Sequence, residues 1–261
     1  MNTPLPSRQI IDSRIHTTTY ADATPRILDW ARAGESRYVI AANVHVVMEA
    51  HDQPDLQRIV NEADLATPDG MPLVWALRWL GQKGQPRVYG PELMLQVCRA
   101  AAQTGLVIGL YGSTPATLAA LQDNLRQRFP TLTIGYAVAP PFGQPTPAED
   151  ETTVQAINAA GVRILLVGLG CPKQERWVGT HRGRVHAVML AVGAAFDFHA
   201  GTLRQAPAWM QRAGLEWLFR LGMEPRRLLS RYLKHNPRFI ALILAQLCRQ
   251  RTPAASSSRR R

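Results

Sequence analysis

One aspartate lies in a turn that suits acid–base chemistry. Asp69 stands in the stretch Ala66-Thr-Pro-Asp-Gly-Met-Pro, where a short apolar run leads into a Pro-Asp-Gly turn. The turn places the carboxylate at the end of an element, next to a conformationally permissive glycine. A carboxylate in this position can act as a general base if it is ionised and within hydrogen-bonding reach of an attacking hydroxyl. An Asx turn without a catalytic role fits the same spacing, so the spacing alone leaves both interpretations open.

A second candidate is the stretch Val167-Gly-Leu-Gly-Cys-Pro-Lys-Gln-Glu-Arg-Trp. Gly168 and Gly170 follow an apolar run, and a helix is predicted to begin after the proline. Exposed backbone N–H groups at such a point suit a phosphate, and Lys173 adds positive charge. Tight packing of a strand against a helix explains the two glycines about as well.

Further candidates follow other apolar runs. They are Asn43 with His45, Gly112 before Ser-Thr-Pro, and Asp197 with His199. Helix capping is the simpler interpretation at Gly112, and a lone histidine is more often structural than catalytic. No pair of His, Cys or carboxylate residues has metal-ligand spacing, so the sequence predicts no metal site. It also contains no Walker loop, no nucleophile elbow and no complete G-x-G-x-x-G fingerprint.

These candidates require a scaffold that brings the ends of several strands together. Five short apolar runs, over residues 38–42, 106–111, 132–137, 163–167 and 187–192, have the length of buried strands. Segments with helical periodicity separate them, such as 114–129 and 150–160. This alternation predicts an α/β fold, with a Rossmann-like parallel sheet covered by helices. Ligands bind such sheets at the carboxyl ends of the strands, where the candidate residues fall.

The positive charge of the chain is concentrated at its C-terminal end. The formal net charge is +11, yet residues 1–201 contain 17 basic and 17 acidic residues, and residues 202–261 contain 13 basic and two acidic ones. We therefore expect a Rossmann-like domain over 1–201, a basic helical appendage over 202–250 and a disordered Arg/Ser tail over 251–261. An excess of positive charge that is confined to one segment indicates an anionic partner.

The appendage combines basic residues with apolar ones at helical spacing. Residues 208–223 have the pattern of one amphipathic helix, and a second helix is expected from Pro225 until Pro237 ends or kinks it. From Phe239 a short apolar helix is expected, about half as long as the ~20 residues that a spanning helix needs. Aromatic residues interleaved with the arginines favour a lipid surface over nucleic acid. The expected partner is an anionic membrane surface.

Other features bear on the compartment and on competing classes of protein. Three widely spaced cysteines, and an N-terminus without an apolar signal segment, predict a cytoplasmic protein. A nucleotide-sugar oxidoreductase or epimerase is the main alternative for a Rossmann-like chain. Such an enzyme requires a glycine fingerprint near the N-terminus with an acidic residue ~20 positions later, and this sequence lacks one. A protein that binds nucleic acid through the Arg-rich tail is a weaker alternative.

Eight short segments occur in an order that is more specific than any one of them. They are Asn43-Val-His, Thr67-Pro-Asp-Gly, Arg87-Val-Tyr-Gly, Tyr111-Gly-Ser, Pro140-Pro-Phe-Gly, Gly168-Leu-Gly-Cys-Pro-Lys-Gln-Glu, Gly193-Ala-Ala-Phe-Asp-Phe and Arg204-Gln-Ala-Pro. Through them the chain resembles the WecG/TagA/CpsF glycosyltransferases, or glycosyltransferase family 26, from about residue 10 to about residue 234. The stretch Gly214-Leu-Glu-Trp-Leu-Phe-Arg-Leu continues the resemblance into the appendage, which this family uses to reach the membrane.

The resemblance implies an inverting, metal-independent hexose transfer that needs no cofactor. The donor would be a UDP-sugar, and the acceptor would be an undecaprenyl-diphosphate-linked sugar at the cytoplasmic face of the membrane, as in bacterial surface or exopolysaccharide biosynthesis. Asp69 matches the general base of the family. Asn43 and Gln174 match groups that position the sugar or the acceptor, and Arg87 matches a basic residue close to the donor.

The remaining substrate-binding candidates lie in the stretches that follow the predicted strands and in the appendage. They are Gly112, Gly168, Gly170, Lys173, Asp197, Arg220, Arg227 and Arg231. The three arginines correspond to those that the family's appendage brings over the site. They could instead be solvated residues, with Glu216 pairing with Arg212 or Arg220.

Two departures from the family pattern lie near the expected sugar site. Relatives carry Thr-x-Asn-x-Glu where this chain has Ala41-Ala-Asn43-Val-His45, and the usual aspartate after Arg87-Val-Tyr-Gly is displaced by Pro91-Glu92. The donor sugar therefore stays open between glucose, N-acetylmannosamine and its uronic acid. The sequence also leaves the oligomeric state open, and a homo-oligomer is one of the states considered.

Overall fold

Eight strands form a six-stranded sheet and a separate hairpin in the computed structural model, which describes residues 5–141, 143 and 145–251. The strands are β1 Ser7–Ile10, β2 Ser13–His16, β3 Arg37–Ala42, β4 Leu65–Pro68, β5 Ile108–Gly112, β6 Ile134–Val138, β7 Ile164–Gly168 and β8 Val188–Ala191. Strands β1 and β2 form the antiparallel hairpin. The other six are parallel, in the order β4-β3-β8-β7-β5-β6, which confirms the predicted α/β, Rossmann-like sheet.

Helices cover both faces of this sheet. They are α1 Tyr20–Arg32, α2 Val44–Asp52, α3 Pro54–Glu62, α4 Met71–Trp79, α5 Gly90–Thr104, α6 Pro115–Arg128, α7 Pro147–Ala159, α8 Lys173–Thr180, α9 Ala195–Ala200, α10 Ala208–Arg212, α11 Glu216–Met223 and α12 Pro225–Arg251. Side chains of each strand alternate between the faces. In β3, Tyr38 and Ile40 belong to the core on one face of the sheet, together with α2, α3, α4, α7 and α8. Val39 belongs to the core on the other face, together with α1, α5, α6 and α9.

All five predicted strands are present, with bounds within about two residues of those expected. Two further pieces of strand were not predicted. Strand β4 has only four residues, and its Leu65-Ala66 was taken only as the apolar lead into a turn. The β1–β2 hairpin is rich in polar residues and contains no apolar run, so its strands were not predicted. Its Ile10 and Ile15 are fully buried in the core and hold the hairpin in place.

The predicted single helix over 208–223 is wrong, because the chain breaks between α10 and α11. Gly214 has a φ of +73°, a left-handed conformation that ends α10. Its backbone also lies on Trp75 of α4, so that a Cβ at this position would come within 2.5 Å of the indole ring. The break turns α11 toward the carboxyl end of the sheet.

Pro237 was expected to end or kink the preceding helix, and it does not end it, since α12 continues through it to Arg251. Phe239 and Ile243, which were expected to face lipid, are only 3% and 2% exposed and belong to the core beside α2 and the hairpin. The side chain of Gln246 further joins α12 to the hairpin, accepting from the N–H of Ile11 and donating to the carbonyl of Gln9. This packing outweighs the hydrogen bond that a proline removes from a helix.

The division into 1–201 and 202–250 stays a prediction, although α12 contributes to the core of the preceding part. The predicted tail over 251–261 lies outside the described residues, apart from Arg251 at the end of α12. None of the helices in the described part of the chain is long and apolar enough to cross a membrane.

The burial of Phe239 predicts a large effect of its truncation. We expect Phe239→Ala to lower the free energy of unfolding by about 3–5 kcal/mol, because it leaves a cavity in the core between α12, α2 and the hairpin. Urea denaturation followed by circular dichroism measures this change. Ile240→Ala, at the neighbouring and 57% exposed position, is the matched control and should cost far less. Equal losses in the two variants would show that this part of α12 does not pack on the core.

Candidate active site

The candidate residues gather at one edge of the sheet. Because its strands are parallel, their carboxyl ends all face the same side. At or shortly after these ends lie Asn43, Asp69, Gly112, Gly168, Gly170 and Asp197. The connections that follow the strands therefore build the site, as the sequence predicted.

Asp69 is held tightly at the end of β4. Its N–H donates to the carbonyl of Ala42 at the end of β3, at 2.8 Å, and its Oδ1 accepts from the N–H of Gly90 at 2.6 Å. Burial raises the pKa of Asp69 to about 6, although part of the residue still reaches solvent. The charge of Arg87 and the hydrogen bonds from Gly90 and Asn43 act in the opposite direction, and the charge of Glu216 adds to the rise. This carboxylate is ionised at neutral pH, yet basic enough to accept a proton.

Asn43 joins the start of a helix to Asp69. Its side-chain oxygen caps α2 by accepting from the N–H groups of His45 and Val46, at 3.0 and 3.3 Å. Its side chain also forms a hydrogen bond with the Asp69 carboxylate, which lowers the pKa of Asp69. Since the capping oxygen only accepts, the bond to Asp69 comes from the amide nitrogen. Asn43 is therefore a positioning residue for Asp69 in this structure.

Arg87 connects Asp69 to the appendage. Its Nε donates to the backbone carbonyl of Asp69, and its guanidinium lies 3.9 Å from the centre of the Tyr89 ring. Its Nη2 forms a 2.8 Å ion pair with Glu216 of α11, whose other oxygen accepts from the Tyr89 hydroxyl at 2.9 Å. The side chains of Arg87 and Glu216 are only 16% and 14% exposed. The appendage thus packs over the residues around Asp69.

This arrangement corrects one alternative from the sequence. Glu216 pairs with Arg87 of the body, not with Arg212 or Arg220 of its own segment. The carboxylate that does pair within the appendage is Glu224, at 2.5 Å from Arg227 and 3.7 Å from Arg220. Spacing along one helix suggested the wrong partner, because the break at Gly214 turns Glu216 toward the body.

The loop after β7 is organised by a buried amide. Gln174 accepts from the N–H of Gly170 at 3.1 Å and donates to Glu175 at 2.9 Å. A Cβ on Gly193, which follows β8, would lie 3.4 Å from the same amide. Helix α8 begins at Lys173 as predicted, with its side chain exposed. Gln174 therefore links the ends of β7 and β8 and shapes the surface beside them.

Glu175 is a buried acid that sequence inspection missed. It lies in the first turn of α8 and is 0% exposed, and burial raises its pKa to about 7. One of its oxygens accepts from Gln174, and the other has no hydrogen-bond partner. A charged residue within a run of charged residues normally indicates a solvated helix face, so the sequence contained no signal of this burial.

The glycines Gly112 and Gly168 have a packing reason. Gly112 has a φ of +130°, and a Cβ there would come within 2.5 Å of the Gly168 backbone. A Cβ on Gly168 would come within 2.7 Å of the Phe196 ring in α9. Ser113, the next residue, has a φ of +62°, which is unusual for a residue other than glycine. Close packing accounts for both glycines, and their contact with substrate stays a prediction.

Two of the three predicted arginines of the appendage, Arg220 and Arg227, lie near Asp197, and Arg231 lies near those two. The Arg220 guanidinium lies 5.6 Å from the Phe198 ring of α9, and the charges of Arg220 and Arg227 lower the pKa of Asp197 against the effect of its burial. Burial lowers the pKa of Arg231, and the positive charges of the other two arginines lower it further. Such a group of cations, one of them partly desolvated, favours an anionic ligand.

A potential metal-binding group lies on the same side of the sheet and was also missed. His45 and Glu49 of α2 meet His235 of α12, with one ligand atom of each residue within 4.8 Å of the others. Short spacings along the sequence do not reveal this group, because His235 is distant along the chain from His45 and Glu49.

A cavity of about 660 Å³ is found away from these residues. Its lining includes Arg37 at the start of β3 with Asp64, which form a 2.6 Å ion pair, and Arg182, which pairs with the same carboxylate at 3.0 Å. It therefore lies toward the amino ends of the strands and is lined by charged side chains that neutralise one another. We assign the chemistry to the opposite edge.

The negative charge of Glu216 should have a measurable effect on the pKa of Asp69. We expect Glu216→Gln to lower the pKa of Asp69, because it removes a negative charge and leaves Arg87 free to face the carboxylate. Carboxyl ¹³C chemical shifts recorded against pH report this change. Glu224→Gln, on the same appendage but paired with other arginines, is the matched control. An unchanged or raised pKa in Glu216→Gln would contradict the observed contact.

The comparison with known families agrees with this geometry. The sequence model of the "Glycosyl transferase WecG/TagA/CpsF family" matches residues 8–253, which include every candidate residue described above. The match covers the sheet, the loops at its carboxyl edge and the appendage down to the end of α12. The chain belongs to the WecG/TagA/CpsF family of glycosyltransferases.

Proposed function

We propose that this glycosyltransferase moves a hexose, with inversion, from a UDP-sugar to a sugar on undecaprenyl diphosphate. The observation that carries the proposal is the setting of Asp69, a carboxylate at the carboxyl edge of the sheet whose pKa burial raises to about 6. Family membership supports a transferase over the oxidoreductase or epimerase alternative. The donor sugar is glucose, N-acetylmannosamine or its uronic acid, and the product belongs to bacterial surface or exopolysaccharide biosynthesis.

Asp69 acts as the general base of a single displacement. The acceptor hydroxyl attacks the anomeric carbon, a new glycosidic C–O bond forms, and the bond from that carbon to the diphosphate oxygen breaks. UDP leaves with the electron pair, while the hydroxyl proton passes to the Asp69 carboxylate. Attack from the face opposite the leaving group inverts the anomeric centre. Asn43 and the N–H of Gly90 orient the carboxylate for this step.

Arginines stabilise the departing diphosphate. As the glycosidic bond breaks, negative charge develops on the β-phosphate, and guanidinium groups bind such oxygens in a bidentate manner. Arg87 is close to Asp69, Arg220 and Arg227 lie near Asp197, and Arg231 lies near these two arginines. We propose that these groups serve the leaving group in place of a divalent ion. The remainder of the nucleotide site is shaped by Lys173, Gly170 and the other glycines at the carboxyl edge of the sheet.

The appendage also brings the enzyme to the cytoplasmic face of the membrane. Four side chains on the outer face of α12 are about half exposed or more, at spacings i, i+4, i+11 and i+15, which place them in one stripe: Leu229, Leu233, Ile240 and Leu244. Exposed apolar residues of α10 and α11 lie before it in sequence: Trp209, Trp217, Leu218 and Met223. Basic residues occur throughout the same segment. An apolar stripe flanked by positive charge is typical of a helix that lies in an anionic lipid interface.

The general-base assignment is tested by turnover. With UDP-sugars and a short-chain prenyl-diphosphate-linked sugar as substrates, we expect Asp69→Asn to lower turnover by ~10²-fold or more, since the amide cannot take up the proton. In the wild type, turnover should rise with pH through about 6, because the reaction requires the ionised carboxylate of Asp69. Turnover should not depend on added Mg²⁺ or Mn²⁺.

Asp123→Asn is the matched control for this experiment, because Asp123 is an exposed carboxylate on α6. It should retain wild-type turnover, and both variants should still bind UDP. If Asp69→Asn turns over at the wild-type rate, Asp69 is not the base. If no UDP-sugar serves as donor, the proposed reaction is wrong.

The membrane surface is tested by flotation with vesicles. We expect the full chain to bind anionic vesicles better than neutral ones and less at high salt, and the double variant Leu229→Ser, Leu233→Ser to bind severalfold less. These two residues are exposed, so their substitution leaves the core intact. A truncation at residue 201 is a poor test, because it also removes Phe239 and Ile243 from the core. Wild-type binding by the double variant would exclude this stripe as the lipid-binding surface.

A further inference from the structure

Three side chains with metal-ligand chemistry meet where the appendage packs on the body. His45 and Glu49 lie one turn apart in α2, with Nδ1 of His45 at 3.9 Å from Oε1 of Glu49. Nε2 of His235, in α12, lies 3.1 Å from the same carboxylate oxygen. The two imidazole rings have their centres 5.1 Å apart. The three residues thus face one another across the α2–α12 contact.

One nitrogen that faces this carboxylate has no hydrogen-bond partner. Nδ1 of His45 is buried, and its 3.9 Å separation from Glu49 is too long for a hydrogen bond. Buried polar atoms in native proteins normally have a partner, so this orphaned nitrogen beside a carboxylate calls for an explanation.

The positions of the three ligand atoms suit Zn²⁺ or an ion with similar ligand preference. With metal–ligand distances of about 2.0–2.2 Å, the ligand atoms of a tetrahedral site are about 3.3–3.5 Å apart. The 3.1 Å and 3.9 Å separations bracket this value, and the third pair of ligand atoms lies within 4.8 Å, so a modest movement of side chains suffices.

We propose that His45, Glu49 and His235 form a binding site for Zn²⁺ or an ion of similar ligand preference, which fastens α12 to α2. Two imidazole nitrogens and one carboxylate oxygen supply three ligands, and water supplies the fourth. The ion is structural: it holds the appendage on the body, with Arg231 one turn before His235 in α12. It takes no part in the proposed sugar transfer, and the site does not depend on that function.

The test is metal binding by the full chain, freed of any affinity tag and stripped of metal by a chelator. Titration with Zn²⁺ in a calorimeter should show one tight site per chain. We expect His45→Ala and His235→Ala each to weaken this binding by at least ~100-fold, more than the usual effect of a second-shell substitution. His51→Ala is the matched control, because His51 lies on the same helix but pairs with Asp12 at 2.6 Å, and it should bind Zn²⁺ like the wild type.

Two further readouts keep the result interpretable. Co²⁺ bound at this site should show the absorption of a tetrahedral nitrogen–oxygen environment, without the thiolate charge-transfer band that the cysteines would produce. Zn²⁺ should raise the temperature of unfolding of the wild type but not of Glu49→Gln, a variant of the same shape. Circular dichroism confirms that the variants are folded. Absence of a tight site, equal binding by the histidine variants, or a thiolate band at one equivalent of Co²⁺ would each overturn the proposal.

Discussion

The buried ion pair between Arg87 and Glu216 is the contact on which the candidate site depends. Arg87 donates to the backbone of Asp69 on one side and pairs with the appendage on the other. Two desolvated charges of this kind add little net stability, but removal of either leaves the other uncompensated, at a cost of about 3–5 kcal/mol. The electrostatic environment of Asp69 is therefore set jointly by the body and by α11. A site on the body alone would have a different pKa at its central carboxylate.

Helix α12 has two faces with different tasks. Its inner face buries Phe239 and Ile243 against α2 and the hairpin, and its outer face exposes Leu233 and Ile240. Because different residues serve each contact, the proposed membrane binding leaves the core packing intact. The candidate metal group, with His235 on the inner face, lies at the same contact between α12 and α2. Under the proposed function a rigid attachment matters, because a lipid-linked acceptor would arrive at the membrane while the sugar nucleotide would bind at the edge of the sheet.

Much of the site is held by side chains that also build local structure. Asn43 begins α2 and orients Asp69, while Gln174 shapes the loop after β7 and approaches Gly193 after β8. The sequence identified both amides as candidates, because they follow apolar runs. Their hydrogen-bond partners could not be predicted, since these depend on which strand ends become neighbours in the sheet. The burial of Glu175 could not be predicted, because a charged residue among charged neighbours is typical of a solvated helix face.

The sequence by itself determined the α/β class, the five main strands and the placement of the candidate residues at or after their carboxyl ends. Those features follow from periodicity and from short apolar runs, which are properties of neighbouring residues. It also determined the segregation of positive charge into the appendage. Only the tertiary structure decided that Glu216 pairs with Arg87, that α12 continues through Pro237, and that His45 meets His235. Each of these depends on residues far apart in the chain, where the free energy of burying side chains outweighs the local preference that the sequence displays.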